Sequence, residues 1–151
     1  SLEDNFVVMV EFDVSISRQA DRRDVFELRE AIHTYNEERT GYRDGAALAC
    51  FVRDGDGRLI AGIAGFSWGG YARVDYLWVE EKLRRTGLGR RLLEAAEDEA
   101  RVRGCVTMVI DTHDFQAPWL YTRLGYSLAG TTHDTPRGHR QYLYQKRLAP
   151  A

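Results

Sequence analysis

Apolar residues recur with helical spacing in the central part of the chain, directly after a strand-like stretch. The apolar positions of this helix are Leu88, Leu92, Leu93, Ala96 and Ala100. Charged residues occupy most positions between them, so the pattern predicts an amphipathic helix with one face packed on a sheet. Gly104 is the expected end of this helix, because glycine readily adopts the left-handed conformation that often follows a helix.

Three strands are predicted before this helix. The apolar stretches Ala46–Val52 and Leu59–Phe66 flank the sequence Asp-Gly-Asp-Gly, which favours a hairpin turn. The third stretch, Tyr71–Val79, follows a tight turn that contains two glycines. Its residues alternate in character, so we expect its even-numbered side chains to face one side of the sheet and its odd-numbered ones to face the other along the whole strand.

The remaining elements complete an alternation of strands and helices. They are a first strand at Asn5–Ser15, a helix capped by Ser17 or Asp21 that ends before Gly41, a buried strand at Val106–Ile110, a helix that begins at Pro118 with Asp114 as a candidate cap and stops at Gly125, and two last strands at Tyr126–Thr131 and Arg140–Leu148. This order predicts an α/β fold with one mixed sheet, because a three-strand meander precedes a crossover helix.

The turn between the third strand and the central helix, Arg84–Gly89, carries the clearest chemical signal. Backbone N–H groups at a helix start lack intrahelical partners, and the helix dipole favours an anion there. Gly87 and Gly89 add no Cβ that would keep an anion from these donors, and arginines flank the turn. Neither a mononucleotide P-loop nor a dinucleotide turn matches, since no lysine follows the glycines and Leu92 takes the third glycine position. The turn is therefore predicted to hold a different phosphate ligand.

Two motifs in a characteristic order indicate which ligand this is. The R-x-x-G-x-G pattern of Arg84–Gly89 resembles the acyl-CoA signature of the GNAT superfamily of N-acetyltransferases, and residues 117–126 resemble its A-x-x-L-Y-x-x-x-G-[FY] segment. An ordinary glycine turn would explain the first motif alone, whereas the two together favour the superfamily. The resemblance implies one GNAT-like domain over residues 1–151, with a mixed, mostly antiparallel sheet of about seven strands, helices on both faces and splayed central strands.

The resemblance implies acetyl-CoA as co-substrate, with its arm inserted between the splayed strands and paired with strand backbone. The residues expected at acetyl-CoA are Leu77, Trp78 and Val79 along the arm, Arg84, Arg85, Thr86, Gly87, Leu88, Gly89 and Arg90 around the diphosphate, and Gln116. Many relatives have Asn where this chain has Asp114, so either Gln116 replaces that amide contact or the arm takes a slightly different course. For the side chains of the three strand residues, ordinary sheet core is an equally good interpretation.

Acetyl transfer needs a neutral amine and a proton for the leaving thiolate. Tyr121 matches the general-acid tyrosine of the superfamily, and a phenol stays protonated at neutral pH, although a packing role is the alternative. Asp75 is expected to end a water relay that accepts the amine proton, but a surface carboxylate is the simpler interpretation of it and of Glu80. His113 and His139 lie in predicted loops, where a solvated histidine is the default.

The acceptor is expected between the first helix, the turn after the second hairpin strand and the last hairpin. The residues predicted to line its pocket are Tyr35, Glu37, Trp68 and His139. The predicted function is transfer of an acetyl group from acetyl-CoA to a primary amine of a small molecule by direct attack. A protein or peptide N-acetyltransferase is one alternative. A non-catalytic acyl-CoA-binding sensor is the other, and such a module could dispense with Tyr121, which this chain keeps.

Charge and composition limit the other kinds of partner that the protein is expected to bind. The net charge of −2 argues against nucleic-acid binding as the main task. Cys50 and Cys105 lie in apolar stretches without metal-binding spacing, so we expect reduced thiols and no metal. No apolar stretch approaches the roughly 18 residues of a membrane span, and a cytoplasmic protein without membrane contact is expected. A homodimer with Tyr142 and Tyr144 at its interface is left open.

Overall fold

The structure is a computed structural model that describes residues 11–150. Its backbone contacts separate two compact units, one that ends at Thr40 and one that begins at Gly41. Of the predicted first strand, residues 5–10 lie outside the described residues, and residues 11–15 form no regular secondary structure. The prediction of a single acetyltransferase domain over residues 1–151 stays a prediction.

The first unit contains helix α1 (Arg22–Thr40). The side chain of Asp21 accepts a hydrogen bond from the backbone N–H of Arg23 at 2.8 Å, which satisfies one of the donors at the helix start. Asp21 is therefore the cap, rather than Ser17. Gly41 follows the helix with a φ of 78°, as expected for a helix end. Two residues predicted at the acceptor pocket, Tyr35 and Glu37, lie on α1.

The second unit is built on a six-stranded mixed sheet. Its strands are β1 (Ala46–Arg53), β2 (Leu59–Trp68), β3 (Tyr71–Val79), β4 (Thr107–His113), β5 (Ser127–His133) and β6 (Arg140–Arg147). They lie in the order β1-β2-β3-β4-β6-β5, and every neighbouring pair is antiparallel except β3 and β4. The unit also contains helices α2 (Leu88–Val102) and α3 (Trp119–Arg123) and a short 3-10 helix at Glu81–Leu83. The predicted α/β class with a mixed, mostly antiparallel sheet is confirmed.

One face of the sheet, which we call the α2 face, packs on α2. The helix contacts β1, β2 and β3 through the apolar side predicted from its spacing. The buried apolar strand residues of the α2 face are Leu48, Ala61, Ile63, Ala72, Val74, Met108 and Ile110. Burial of such side chains is the main source of stability of an α/β layer. Both cysteines are free thiols, and Cys105 is buried at the edge of this core.

A β-bulge at Asp75 changes which side chains of β3 face α2. Ala64 lies opposite Tyr76, but the next residue of β2 lies opposite Val74, so Asp75 is the extra residue. Beyond the bulge, Leu77 and the last residue of β3 pack against the core, while Tyr76 is 75% exposed. The expectation of uninterrupted alternation along β3 is therefore wrong after Asp75, because one extra residue inverts the order of faces.

The central strands β3 and β4 separate halfway along their length. They pair from Tyr71 opposite Thr107 to Val74 opposite Ile110, and no further. Past that point β3 stays paired with β2, and β4 stays paired with β6. Beyond this point each of the two strands is hydrogen-bonded only to its other neighbour in the sheet. The gap between residues 75–79 of β3 and residues 111–113 of β4 is called the split. This confirms the splayed central strands.

The ends of α2 and α3 lie at the glycine and proline positions from which they were predicted. Gly104 follows α2 with a φ of 79°, Pro118 directly precedes α3, and Gly125 follows α3 with a φ of 90°. The prediction that Asp114 caps α3 is wrong, since no side chain in residues 11–150 caps that helix and both oxygens of Asp114 bond elsewhere. Among residues 11–150, no helix has the length and apolar content needed to cross a bilayer.

Candidate active site

The turn that joins β3 to α2 presents backbone donors at the open end of the split. The first bond of the α2 ladder runs from the N–H of Arg91 to the carbonyl of Gly87 at 3.0 Å. The N–H groups of Leu88, Gly89 and Arg90 therefore precede the ladder, where the helix dipole favours an anion. Gly87 has a φ of 83°, a conformation that side chains rarely adopt, and a Cβ there would meet nothing within 4 Å. The turn is therefore open at Gly87.

Gly89 places the start of α2 against both β3 and α3. A Cβ at this position would lie 3.8 Å from a methyl of Val79 and 3.8 Å from a methyl of Leu120. The Nε of Arg84 donates to the carbonyl of Val79 at 3.0 Å, which ties the turn to the end of β3. The turn is thus fixed between the strand that lines the split and the helix that carries the second sequence motif.

Arg90 contributes charge at the helix start, although Glu94 compensates part of it. The Nε of Arg90 lies 2.8 Å from a carboxylate oxygen of Glu94, and both side chains are largely exposed. A cavity of about 630 Å³ continues from this point between α2 and the end of α3. Its lining residues are Arg90, Glu94, Glu97, Asp98, Arg101, Arg123, Leu124, Gly125 and Lys146. Four of these carry positive charge and three carry negative charge.

The most buried carboxylate of the cavity is neutralised by its neighbours. Glu97 is 3% exposed, and its oxygens lie 2.9 Å from the Nζ of Lys146 and 3.5 Å from Arg101. The hydroxyl of Tyr126 donates to the same carboxylate at 2.9 Å. Burial and this carboxylate raise the pKa of Tyr126. Tyr126 is thus an aromatic residue of the core.

Tyr121 lies on the α2 face, with its ring packed in an aromatic cluster. Its ring centroid is 5.9 Å from that of Tyr126 and 5.8 Å from that of Tyr144, and the residue is 7% exposed. Burial raises the pKa of Tyr121 to about 12. Among residues 11–150, every fully buried side-chain nitrogen or oxygen has a hydrogen-bond partner. The Tyr121 hydroxyl has no partner among these residues. It is therefore not fully buried, and solvent can reach it. The predicted packing role and a proton-donor role are therefore compatible.

Asp75 and Asp111 face each other across the beginning of the split, with Arg73 between them. The Nε of Arg73 lies 3.4 Å from Asp75, and the same guanidinium bonds to Asp111 on β4. Arg73 thus joins the two strands where their backbone pairing ends. The charge of Asp75 is compensated by this contact. The sequence does not indicate the role of Arg73, because 38 residues separate it from Asp111.

The side-chain carbonyl oxygen of Gln116 is already hydrogen-bonded within the protein. Its Oε1 accepts a hydrogen bond from the backbone N–H of His113 at 2.9 Å and lies 2.9 Å from the imidazole Nδ1 of the same residue. The side-chain NH₂ of Gln116 therefore remains as a hydrogen-bond donor. A carbonyl oxygen in the arm of acetyl-CoA needs such a donor.

Asp114 and His139 form a pair that sequence analysis did not find. One oxygen of Asp114 lies 2.9 Å from the Nδ1 of His139, and the other accepts from the backbone N–H of Arg140 at 2.9 Å. Burial opposes the charge of Asp114, but the hydrogen bonds from Arg140 and His139 outweigh it and lower the pKa of this carboxyl. The two residues are 25 positions apart, so only the register of β4 and β6 brings them together.

Two other predicted residues make contacts within the fold. The indole N–H of Trp68 donates to the carbonyl of Tyr42 at 3.0 Å, and its ring contacts Tyr71 edge-on at 6.1 Å. Glu80, considered as a base, is paired with Arg58 at 2.9 Å, which lowers the pKa of the Glu80 carboxyl. The contacts of Glu80 are thus those of a carboxylate in a surface ion pair, as the simpler interpretation of this residue predicts.

Known proteins resemble this chain over most of its length. Blasticidin-S acetyltransferase from Streptomyces morookaense is 41% identical over 104 residues, which cover 68% of this chain and 74% of that protein. Acetyltransferase Atu2258 from Agrobacterium fabrum is 32% identical over 121 residues, which cover 80% of this chain and 88% of that protein. The fold matches the crystal structure of a candidate acetyltransferase from Agrobacterium tumefaciens with a TM-score of 0.83 and 31% identity, over 90% of this chain and 99% of that chain.

The match to a protein family agrees with the geometry of the site. The acetyltransferase (GNAT) family matches residues 17–126, which is more than half of the chain. This range includes the split between β3 and β4, the turn at the start of α2 and Tyr121. The chain is therefore a member of the GNAT family and an acyl-CoA-dependent acetyltransferase.

Proposed function

We propose that this acetyltransferase moves the acetyl group of acetyl-CoA to a primary amine of a small molecule by direct attack of the amine. The observation that carries the proposal is the continuity of the split between β3 and β4 with the turn at the start of α2. An extended chain that lies along β3 would end at N–H groups that favour a diphosphate. Acetyl-CoA has this form, since its amide-containing arm leads to a diphosphate.

The residues of the split and the turn fit the parts of acetyl-CoA in order. The free backbone edge of Leu77, Trp78 and Val79 would pair with the amides of the arm, and the NH₂ of Gln116 would donate to an arm carbonyl. The backbone from Arg85 to Arg90 would hold the diphosphate, with Arg84 beside it. The nucleotide end would enter the adjoining cavity, where four basic residues outnumber three acidic ones by one charge.

Tyr121 is the proposed general acid. Acetyl-CoA supplies a thioester, whose carbonyl carbon an amine can attack. As the new C–N bond forms and the C–S bond breaks, Tyr121 would give its phenolic proton to the leaving sulfur. A phenol with a pKa of about 12 is protonated throughout the physiological pH range, so Tyr121 carries a proton that it can donate. A non-catalytic sensor could dispense with this proton donor, which the chain keeps.

The acceptor would approach the split from the face opposite α2. Asp75 and Asp111 lie at the beginning of the split, and carboxylates attract an ammonium group. Asp75 at the end of a water relay stays a prediction, as do the roles of Tyr35, Glu37, Trp68 and His139 in binding the acceptor. The relative named for acetylation of blasticidin S supports a small molecule as acceptor.

A consumption assay tests the proposal and its alternatives. The purified protein would be mixed with acetyl-CoA and one acceptor at a time, chosen from nucleoside and aminoglycoside antibiotics, polyamines, amino acids and short peptides, and released thiol would be measured. Thiol release with a small amine, and an acetylated amine found by mass spectrometry, are expected. Release with peptides alone would favour a protein N-acetyltransferase. Tight binding of acetyl-CoA with no release for any acceptor would favour the sensor.

A further inference from the structure

His139 is held in a defined orientation at the end of β4. Its Nδ1 lies 2.9 Å from Asp114, whose second oxygen is fixed by the backbone N–H of Arg140. A carboxylate with a lowered pKa only accepts hydrogen bonds, so the proton of the neutral imidazole resides on Nδ1. The Nε2 of His139 then carries the lone pair. Phe115 supports the ring edge-on, with a centroid distance of 4.9 Å.

The pair lies at the carboxyl end of β4, at the edge of the sheet where the split is open, with His139 reaching Asp114 from just before β6. Asp114 directly follows β4, and parallel neighbours such as β3 and β4 have their carboxyl ends at the same edge of the sheet. His113 alternates with the buried Thr112 and faces away from α2. Phe115 stacks on His113 at 5.1 Å and contacts His139, so the imidazole of His139 belongs to the face opposite α2.

Tyr121 lies on the other face of the sheet, beside β6 and β4. Its ring contacts Tyr144, which lies opposite the buried Ile110 of the α2 face. A proton donor on one face and an imidazole on the other suit a reaction in which the amine arrives on one side of the thioester and the sulfur receives a proton on the other. The arrangement places the two proton transfers on separate groups.

We propose that His139, oriented by Asp114, is the base that takes the proton of the acceptor ammonium; this rests on the proposed function. The proton moves from the ammonium nitrogen to Nε2 of His139, which frees the lone pair of the nitrogen. That lone pair bonds to the thioester carbonyl carbon, the C–S bond breaks, and the sulfur takes the proton of Tyr121. The nitrogen then gives up its second proton, which returns through water to the Tyr121 phenolate and leaves a neutral amide, a free thiol and a neutral phenol. Imidazole is the side chain best matched to proton transfer near neutral pH, whereas Asp75 is held beside Arg73.

Within the part of the chain that the structure describes, few charged groups surround His139. Asp114 and His113 face it from the end of β4, and Arg140 follows it directly in the chain. Asp134 and Arg137 belong to the same hairpin loop, where Asp134 accepts from the backbone N–H of Gly138. Asp114 is the group in direct contact. Its carboxylate fixes the orientation and the tautomer of the imidazole, so its removal should leave Nε2 less well placed to accept a proton.

The test compares the pH dependence of kcat/KM in four variants, with the amine that the wild-type protein acetylates. His139→Gln should lower kcat by about 10² to 10⁴ and abolish the rise of activity from acidic to neutral pH. Asp114→Asn should lower kcat less than His139→Gln does and keep the rise, because the imidazole is still present but no carboxylate fixes its tautomer. His133→Gln, an exposed histidine at the end of β5, is the matched control and should keep the wild-type profile. Affinity for CoA in calorimetry should stay unchanged in His139→Gln.

The fourth variant separates the two candidate bases. If Asp75→Asn abolishes the rise of activity while His139→Gln keeps it, Asp75 is the base and the proposal is overturned. Wild-type turnover and profile in His139→Gln would overturn it as well, with the proposed function intact. A wild-type protein that acetylates no amine would overturn both the proposed function and the role of His139.

Discussion

The carbonyl oxygen of Arg73 occupies the space that a side chain at Gly65 would need. A Cβ at residue 65 would lie 1.8 Å from that oxygen and 3.0 Å from the Cα of Val74. This close approach occurs at the bulge, where Asp75 is the unpaired residue of β3. The bulge in turn directs Leu77 to the α2 face and brings Asp75 to Arg73. Gly65 is thus part of the geometry of the split, although it lies one strand away.

Gly65→Ala should destabilise the fold by about 1 to 3 kcal/mol, because the backbones of β2 and β3 must move apart to admit the methyl group. Urea denaturation followed by circular dichroism would measure the free energy of unfolding. Gly130→Ala on β5 is the control, since a Cβ there would meet nothing within 4 Å. Equal stability of the two variants would show that the close approach does not constrain the bulge.

Gly89→Glu should weaken the binding of CoA by at least about tenfold, which corresponds to about 1.4 kcal/mol, because a carboxylate would lie at the proposed diphosphate site. The protein should still fold, since the nearest atoms to a Cβ at Gly89 are two methyl groups at ordinary contact distance. Gly55→Glu in the hairpin turn is the control of equal charge, and a Cβ there would meet nothing within 4 Å. Isothermal calorimetry with CoA would distinguish them, and unchanged affinity in Gly89→Glu would remove the turn from the site.

Tyr121→Phe should lower kcat by about 10² while the affinity for acetyl-CoA changes little, because the ring keeps its packing and only the proton donor is lost. Tyr144→Phe removes a hydroxyl from the same aromatic cluster and should retain activity. The assay is steady-state thiol release with the amine found in the acceptor screen. Full activity of Tyr121→Phe at neutral pH would exclude its role as general acid.

Lys146→Met should destabilise the protein by about 3 kcal/mol, because it leaves the buried carboxylate of Glu97 with a distant guanidinium and one phenol. The control is Glu94→Ala, which breaks the exposed pair with Arg90 and should change stability by less than about 1 kcal/mol. Chemical denaturation of both variants at neutral pH would compare them. A similar small change in both would mean that Arg101 and Tyr126 suffice to stabilise Glu97.

Elements with a strong local pattern could be predicted correctly from the chain. The spacing of α2, its end at Gly104 and the hairpin turn between β1 and β2 all follow from residues close in sequence. Family membership and the acetyltransferase class were predicted from two local motifs and are confirmed. The faces of β3 were predicted wrongly past Asp75, because a bulge depends on the partner strand and leaves no mark on the alternation of β3 itself.

The order of apolar, charged and glycine residues alone determined an α/β chain with an anion-favouring turn before a central helix, because helix periodicity and helix-start chemistry act over a few neighbouring residues. Only the tertiary structure decided where the strands separate and which side chains meet there. Arg73 reaches Asp111, and Asp114 reaches His139, because β4 is inserted between β3 and β6. Such contacts depend on strand register, which is set by the packing of the whole sheet.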